Sequence, residues 1–530
     1  MIDLAPEHLA SVRRLLLAHV PECEVRAFGS RVAWTAKSYS DLDLALVGAE
    51  KLAACRLHRL REAFEESGLP IRVDVLDWHA ISESFQKVIA GRYEVIQQAT
   101  AVVPGRTEWK ILPLEDCMAA IIDYRGKSPD KTKFGVPLIT AKIVKGGRIA
   151  KPEEFIAEAD FDQWMSRGMP KPGDIVMTTE APLGEVAQLD GRKVALAQRV
   201  ITLRGKPGLL DNTFLKFLLQ SSPVQEELRS RGTGTTVVGI RQSELRKIRL
   251  ALPLLAEQKA IAAVLGALDD KIELNRQMNA TLETMARALF QSWFVDFDPV
   301  RAKLDGREPV GLDPATAALF PEHLEESPLG HIPKGWTAGK LGDIGTNSRR
   351  GVQPGDIAPN TPYIALEHMP RRCIALGDWD DSADVASGKS AFKQGEILFG
   401  KLRPYFHKVG VAPFDGVCST DILILAPKTP EWFGFLLGHM SSDELIQFTD
   451  LASTGTKMPR TNWSDISSFK VALPPKPIAA AFTSDIQPML DRIHANLHQS
   501  RTLADLRDTL LPKLLSGELS VPKQLSEALQ

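Results

Sequence analysis

Only five cysteines, Cys23, Cys55, Cys117, Cys373 and Cys418, are scattered along 530 residues, and no two form a Cys-x-x-Cys pair. That excludes a disulfide framework and a cysteine-bound structural zinc, and it fits reduced thiols in a cytoplasmic setting. No apolar run approaches the ~20 residues that cross a bilayer, so no membrane partner is expected. No signal-peptide shape is expected at the N-terminus: the apolar stretch Leu15 to Val20 is short and follows Arg13 and Arg14 in an amphipathic pattern. Nor is one charge in excess, because 64 Lys and Arg face 66 Asp and Glu for a net charge of −2. A protein that coats nucleic acid by bulk charge has a pI above about 9. Nucleic-acid contact by this chain would therefore rest on local basic residues or on partners that supply phosphate contacts. What is present is a globular composition, 44% hydrophobic and 25% charged, and a length that implies three or four domains.

The organising feature is an internal repeat. Lys171-Pro172-Gly173-Asp174-Ile175-Val176 returns as Lys393-Gln394-Gly395-Glu396-Ile397-Leu398. Thr233-Gly234-Thr235 ahead of Leu252-Pro253 returns as Thr454-Gly455-Thr456 ahead of Leu473-Pro474. A Leu-x-Asp element, Leu114 to Asp116 and Leu341 to Asp343, opens each copy. Three marks in one order at nearly constant spacing define two related units, 109–252 and 331–474. Within each, short β-rich runs are broken by Gly and Pro, such as Asp174 to Met177 and Glu396 to Phe399. One helix is expected per copy, at Thr213 to Ser221 and Glu431 to Leu437.

A long helix follows each unit. Over 253–295 the apolar residues Ile261, Leu265, Leu268, Ile272, Leu282, Ala286, Leu289 and Trp293 make a narrow stripe, with Asn275 and Asn279 inside it. Such a stripe is a coiled-coil seam, in which polar residues set register; at 1.5 Å per residue the helix would span roughly 55–60 Å. Over 475–520 a second stripe runs from Phe482 through Ile486, Met489, Ile493, Leu497, Leu503, Leu506 and Leu510 to Leu514, with Pro488 expected to kink or break it. Two such helices in one chain can pair antiparallel and hold the globular units apart. Residues 296–330, rich in Pro, Gly and acids, read as a linker with one helical turn.

Several of these segments resemble type I restriction–modification specificity subunits. Leu252-Pro253, Glu257 to Ala262 and Leu268 to Ile272 are similar to the start of the family's first spacer, and Ala286 to Val300 to its end. Gly330 to Trp336 resembles the opening of a target-recognition domain, and Leu510 to Leu519 the C-terminal signature. The resemblance covers about 109–530. It implies target-recognition domains at 109–252 and 331–474 that each read half of a bipartite site in double-stranded DNA, with the paired helices as the ruler between halves. It also implies docking of two methyltransferase subunits and of restriction (motor-nuclease) subunits; S-adenosylmethionine and ATP would belong to those partners, and the specificity part would be non-catalytic. For DNA contact, Gly-punctuated loops offer Thr233, Thr235, Arg241 and Gln242 in the first copy and Lys457, Arg460, Thr461 and Asn462 in the second. The basic, aromatic loop with Lys401, Arg403 and Tyr405 is a third candidate. Arg suits guanine or phosphate, and Asn or Gln suits adenine. The competing expectation for each is a solvated loop charge.

Residues 1–104 lie outside that pattern. Gly29-Ser30-Arg31 precedes Asp41-Leu42-Asp43, and Asp74 sits in the alternating run Ile71 to Leu76. The elements expected are a helix at Glu7–Ala18, a strand at Glu24–Phe28, the Gly-Ser turn and a short helix, a strand at Leu42–Val47, a helix at Lys51–Glu66 and a strand at Ile71–Asp77. Asp41 and Asp43 then face one side of a strand, and Asp74 can join them. A Gly-Ser turn admits a triphosphate, carboxylates hold Mg²⁺, and a third carboxylate can take a proton from an attacking hydroxyl. The set resembles the minimal nucleotidyltransferase family. That implies nucleotide binding by Gly29, Ser30 and Arg31, metal binding by Asp41, Asp43 and Asp74, catalysis by Asp74, Mg²⁺ and a nucleoside triphosphate as cofactors, and a protein acceptor of the nucleotidyl group. An inert remnant of the same fold is the alternative. Asp77 and Glu24 read as surface charge. The fold class expected is thus α+β multidomain: a small α/β nucleotidyltransferase-like domain, then two β-rich α/β recognition domains separated by long antiparallel coiled-coil helices. A protein nucleotidyltransferase, antitoxin-like and targeted by a DNA-binding scaffold, is the competing function; a coiled-coil adaptor without sequence specificity has no use for two recognition units.

Overall fold

The structure is a computed structural model that describes residues 2–521 apart from 21–22, 38–39, 49–50, 53, 99–108, 127, 235–236, 382–386 and 453–457. It divides into two compact units, Met1–Trp109 and Lys110–Gln530.

In the first unit helix α1 (Pro6–His19) leads into strand β1 (Glu24–Phe28), the short helix α2 (Ser30–Ala33) and strand β2 (Leu42–Val47). Helix α3 (Ala54–Glu65), strand β3 (Val73–Asp77), helix α4 (Glu83–Gly91) and strand β4 (Glu94–Gln97) complete it. The sheet order is β3-β2-β1-β4. β2 and β3 run parallel and β1 is antiparallel to its neighbours. A parallel pair needs a crossover, and α3 supplies it. Val25, Ala27, Leu42, Leu44 and Leu46 bury the face on which Val12, Leu16, Leu60 and Phe64 pack. α4 and β4 were not anticipated. β4 is secured by the buried Gln97, whose Nε2 donates to the carbonyls of Val20 at 2.9 Å and Cys23 at 3.1 Å. Asp77 is not surface charge: it is buried and its oxygens accept from the amides of Leu52 at 2.9 Å and His79 at 3.0 Å. Glu24 pairs with Arg26 at 2.6 Å.

In the second unit the repeat is visible as topology. One copy has a four-stranded sheet ordered Leu183–Gln188, Ile175–Thr179, Val200–Gly205, Met118–Asp123; the other is ordered Val409–Val411, Ile397–Gly400, Ile422–Pro427, Gly345–Asn347. In both, the strand that opens the copy pairs with the strand that closes it: Lys110–Pro113 with Arg249–Leu252, and Thr337–Lys340 with Lys470–Leu473. The turn glycines match as well, Gly173 at φ +84° and Gly395 at φ +83°, a left-handed conformation that side chains resist.

The two long helices are Leu255–Phe290, of 36 residues, and Lys476–Ser516, of 41. They pack antiparallel, and the polar seam residues find each other. Asn275 Nδ2 donates to Gln499 Oε1 at 2.9 Å, and Asn496 Nδ2 to Asn279 Oδ1 at 2.8 Å. Nearer the start of the first helix, Arg507 reaches Asp269 at 2.8 Å. Pro488 does not break the second helix, which runs through both Pro488 and Pro512. Leu506 faces solvent rather than the seam. The first helix ends in a π-helical turn, Gln291–Val295.

Residues 296–330 are not a bare linker. They form helices Asp298–Leu304 and Pro314–Leu319 and a strand Leu324–Ser327 paired with Gly330–Pro333. Val300 and Phe320 are buried in the largest core, beside Phe290, Trp293 and Phe294.

The seam supports a first prediction. Asn279→Leu would leave the buried Asn496 amide without its acceptor and should cost about 1–3 kcal/mol. The double change Asn279→Leu with Asn496→Leu should recover most of that loss in denaturant titration. A single variant as stable as the parent would show that this pair does not hold the register.

Candidate functional site

In the first unit Asp43 is the centre of the candidate site. On one side it is in register with Phe28, one residue before Gly29; on the other it is in register with Asp74. Gly29 is required here twice over. Its φ is +78°, and a Cβ would stand 2.4 Å from Asp43 Oδ2. Burial, then Asp74, then Asp41 push the Asp43 carboxyl above its ordinary value. Burial disfavours the charged form most, and the two neighbouring carboxylates add like-charge repulsion. A cavity of about 690 Å³ opens beside it, lined by Asp43 and Asp74 and by Arg61 and Arg72.

Arg31 does not reach into this space. Its guanidinium is buried and donates to the carbonyls of Ser40, at 3.0 and 2.7 Å, and Asp3, at 2.8 Å. It therefore holds the segment that delivers Asp41. Asp74 turns toward Arg72, 3.3 Å away. Among the described residues no three His, Cys, Asp or Glu side chains are gathered to hold a metal ion, so the three-carboxylate ligand set expected at Asp41, Asp43 and Asp74 is not assembled.

In the second unit two candidate loops that are far apart in sequence come together. The amide of Thr461 donates to the carbonyl of Lys401 at 3.0 Å, and the amide of Arg403 to the carbonyl of Pro459 at 2.8 Å. Between them and the strand Gly345–Asn347 lies a cleft of about 490 Å³, lined by Arg349, Lys401, Arg460 and Thr461 among others. Arg460 leans toward Asp421 at 3.5 Å. Arg403, at φ +52°, stands over the Phe406 ring at 5.8 Å, and the exposed Tyr405 packs edge-on against the same ring at 4.8 Å.

Two expected contacts take other roles. Asn462 caps a short helix: its side chain accepts from the Asp465 amide at 3.1 Å and donates to Asp465 Oδ2 at 2.8 Å. Thr461 is only 2% exposed, and its Oγ1 has no partner among the described residues. In the first copy Thr233 pairs with Gly239 across a tight loop, 2.8 and 3.0 Å between their amides and carbonyls. Arg241 is exposed and Gln242 half-buried at the start of the next short helix. Thr235 and Lys457 lie outside the described residues. Sequence reading missed Arg349; only strand pairing brings it to the cleft, although the basic doublet Arg349-Arg350 was there to see.

A duplicated unit mounted on an antiparallel helix pair, preceded in the chain by a small nucleotidyltransferase-like domain, defines the class. Comparison with known proteins agrees. Residues 122–284 match the family described as type I restriction modification DNA specificity domain. The type I restriction enzyme MjaIX specificity subunit of Methanocaldococcus jannaschii is 26% identical over 455 residues, 81% of this chain and 98% of that protein. The probable protein adenylyltransferase MntA of Haemophilus influenzae is 49% identical over 106 residues, 20% of this chain and 93% of that protein. A crystal structure of the type I restriction-modification S subunit from M. genitalium aligns with 78% of this chain and 97% of its own at a TM-score of 0.45 and 17% identity. Residues 122–284 are thus a type I restriction modification DNA specificity domain, the rest of the chain after the first unit is similar to type I specificity subunits, and the first unit is a nucleotidyltransferase domain similar to MntA. Among the described residues no helix is long and apolar enough to cross a membrane.

Proposed function

We propose that the chain is the sequence-reading subunit of a type I restriction–modification complex, each recognition domain taking one half of a bipartite site in double-stranded DNA. The observation that carries this is the mounting of the two copies. The first is anchored near the start of the first long helix, where Gln258 donates to the Leu209 carbonyl at 2.9 Å. The second is anchored near its end, where Glu283 accepts from the amides of Ile374 at 3.0 Å and Ala375 at 3.2 Å. A rigid helix separates the anchors, and the outer surface of the helix pair is where two methyltransferase subunits would dock. Methyl transfer with S-adenosylmethionine, and ATP-driven restriction by motor-nuclease subunits, belong to those partners.

The ruler is testable. Seven residues inserted after Gln277, matched by seven after Leu497, keep the seam in phase and lengthen the helix pair by about 10.5 Å. The undefined gap in the methylated motif should grow by about 3 base pairs at 3.4 Å each, with both half-sites unchanged. Methylome sequencing reads this directly. An unchanged gap with altered half-sites would rule out the helices as the spacer.

For the N-terminal unit, the reading is nucleotidyl transfer to a hydroxyl of a protein acceptor. Gly29 lets the Asp43 carboxylate lie directly against the turn, and the raised Asp43 carboxyl fits a group that gains a cation. Asp41 and Asp43 would hold Mg²⁺, which offsets charge on the triphosphate when bound. Ser30 and the backbone after Gly29 would face the phosphates. Asp74 would take the proton of the attacking hydroxyl while its oxygen bonds the α-phosphorus and pyrophosphate leaves.

A further inference from the structure

The two recognition domains can be aligned atom for atom through identical backbone hydrogen bonds. The Thr179 amide donates to the Arg199 carbonyl at 3.0 Å, and the Lys401 amide to the Asp421 carbonyl at 2.9 Å. The Ile240 amide donates to the Thr179 carbonyl at 3.0 Å, and the Thr461 amide to the Lys401 carbonyl at 3.0 Å. Lys401 therefore stands where Thr179 stands, Thr461 where Ile240 stands, and Arg460 where Gly239 stands. Strand register extends the match: Ile121 faces Leu203 as Asn347 faces Leu425. Two residues on, Arg349 takes the place of Asp123.

The same frame thus carries opposite chemistry. In the second domain the cleft holds Arg349 and Lys401, neither with a side-chain partner among the described residues, and the unpartnered hydroxyl of Thr461, which is 98% buried. In the first domain the matching place is closed. A Cβ at Gly239 would lie 3.0 Å from the Glu180 Cβ and 3.2 Å from the Thr179 carbonyl oxygen. Ile240 is buried, and the acids are already matched, Asp123 with Arg125 at 3.2 Å and Glu180 with Arg199 at 2.8 Å. Of the predicted contacts there, Arg241 alone is a cation, and it is exposed.

We propose that the cleft of the second domain binds two neighbouring DNA phosphates, one held by Arg349 and one by Lys401, at a place where the first domain has no such site. The proposal rests on the DNA-reading function above and adds to it an asymmetry: the second half-site is bound largely through backbone charge, the first through fewer charged contacts. Each phosphate neutralised steepens the fall of log affinity with log salt by about 0.9. Arg349 and Lys401 together account for a change of about 2 in that slope, against about 1 for Arg241.

The test uses the full chain assembled with its methyltransferase subunits. The probe is a duplex bearing the motif that methylome sequencing identifies, with duplexes scrambled in one half-site or both, titrated at several salt concentrations. Arg349→Ala with Lys401→Ala should weaken binding at least ~10-fold at low salt and flatten the slope by about 2. Arg349→Lys with Lys401→Arg should keep the slope of the parent, which a merely folded but charge-free surface would not do. Arg241→Ala should flatten it by about 1. If the double alanine variant keeps the parental slope while the parent prefers its motif, the phosphate site is wrong. If Arg241→Ala flattens the slope as much as the double variant, the asymmetry is wrong. A parent complex that does not distinguish its motif from the fully scrambled duplex would instead overturn the DNA-reading function itself.

Discussion

Asp43→Asn should abolish metal-dependent nucleotide binding by the full chain, a loss on the order of 100-fold or more. Loss of a group that merely orients a ligand already costs 10–100-fold, and Asp43 is the carboxylate on which the site converges. It neighbours Asp74 across the sheet and Gly29 at the turn, and burial, then Asp74, then Asp41 raise its pKa. Without metal the amide removes a like-charge clash, so the variant should melt no lower than the parent. Calorimetric titration of a nucleoside triphosphate with and without Mg²⁺ measures the first effect, and thermal unfolding the second. The methylation motif should not change. Equal nucleotide binding by parent and variant would reduce the domain to an inert remnant, and a lost motif in a folded variant would show that the two functions are coupled.

Phe290→Ala should destabilise the Lys110–Gln530 unit by about 3–5 kcal/mol. Phe290 closes the first long helix and meets the rings of Phe294, Phe435, His439 and Phe482 at centroid distances of 5.5, 6.2, 4.9 and 6.1 Å. Gly438 makes room for it: a Cβ there would come within 2.0 Å of the ring. The same cluster makes the unit acid-sensitive. Burial alone holds His439 down at about 3, against an ordinary 6.5. The folded chain excludes a proton that the unfolded chain binds, so stability is complete above pH about 6.5 and declines as pH falls from there toward 3. His439→Phe should flatten that decline in denaturant titrations at pH 7 and pH 5. A Phe290→Ala variant within 1 kcal/mol of the parent would mean that the recognition domain does not depend on its helix for stability.

Sequence by itself determined the periodic and repeated parts of this protein. Apolar residues at 3-then-4 spacing make a helix wherever they occur, so the long helices and the buried asparagines Asn275 and Asn279 were legible. The duplication was legible as well, because Gly173 and Gly395 mark a turn that demands positive φ. So was the placement of Asp43 beside Gly29, since alternation along a strand decides which side chains share a face. Tertiary structure alone decided which polar groups are free. Arg31 and Asp77 look like surface chemistry in one dimension, but each satisfies backbone groups from a segment brought to it by folding, while Asn462 is taken up by capping the short helix that follows it. Segment 296–330 has the composition of a linker, yet Val300 and Phe320 find a core made by helices before and after it. Arg349 and Lys401 share a cleft only because two strands, 52 residues apart in the chain, lie in one sheet. Local periodicity is a property of neighbours along the chain, whereas the partner that spends a charge or leaves it free for DNA is chosen by packing over long range.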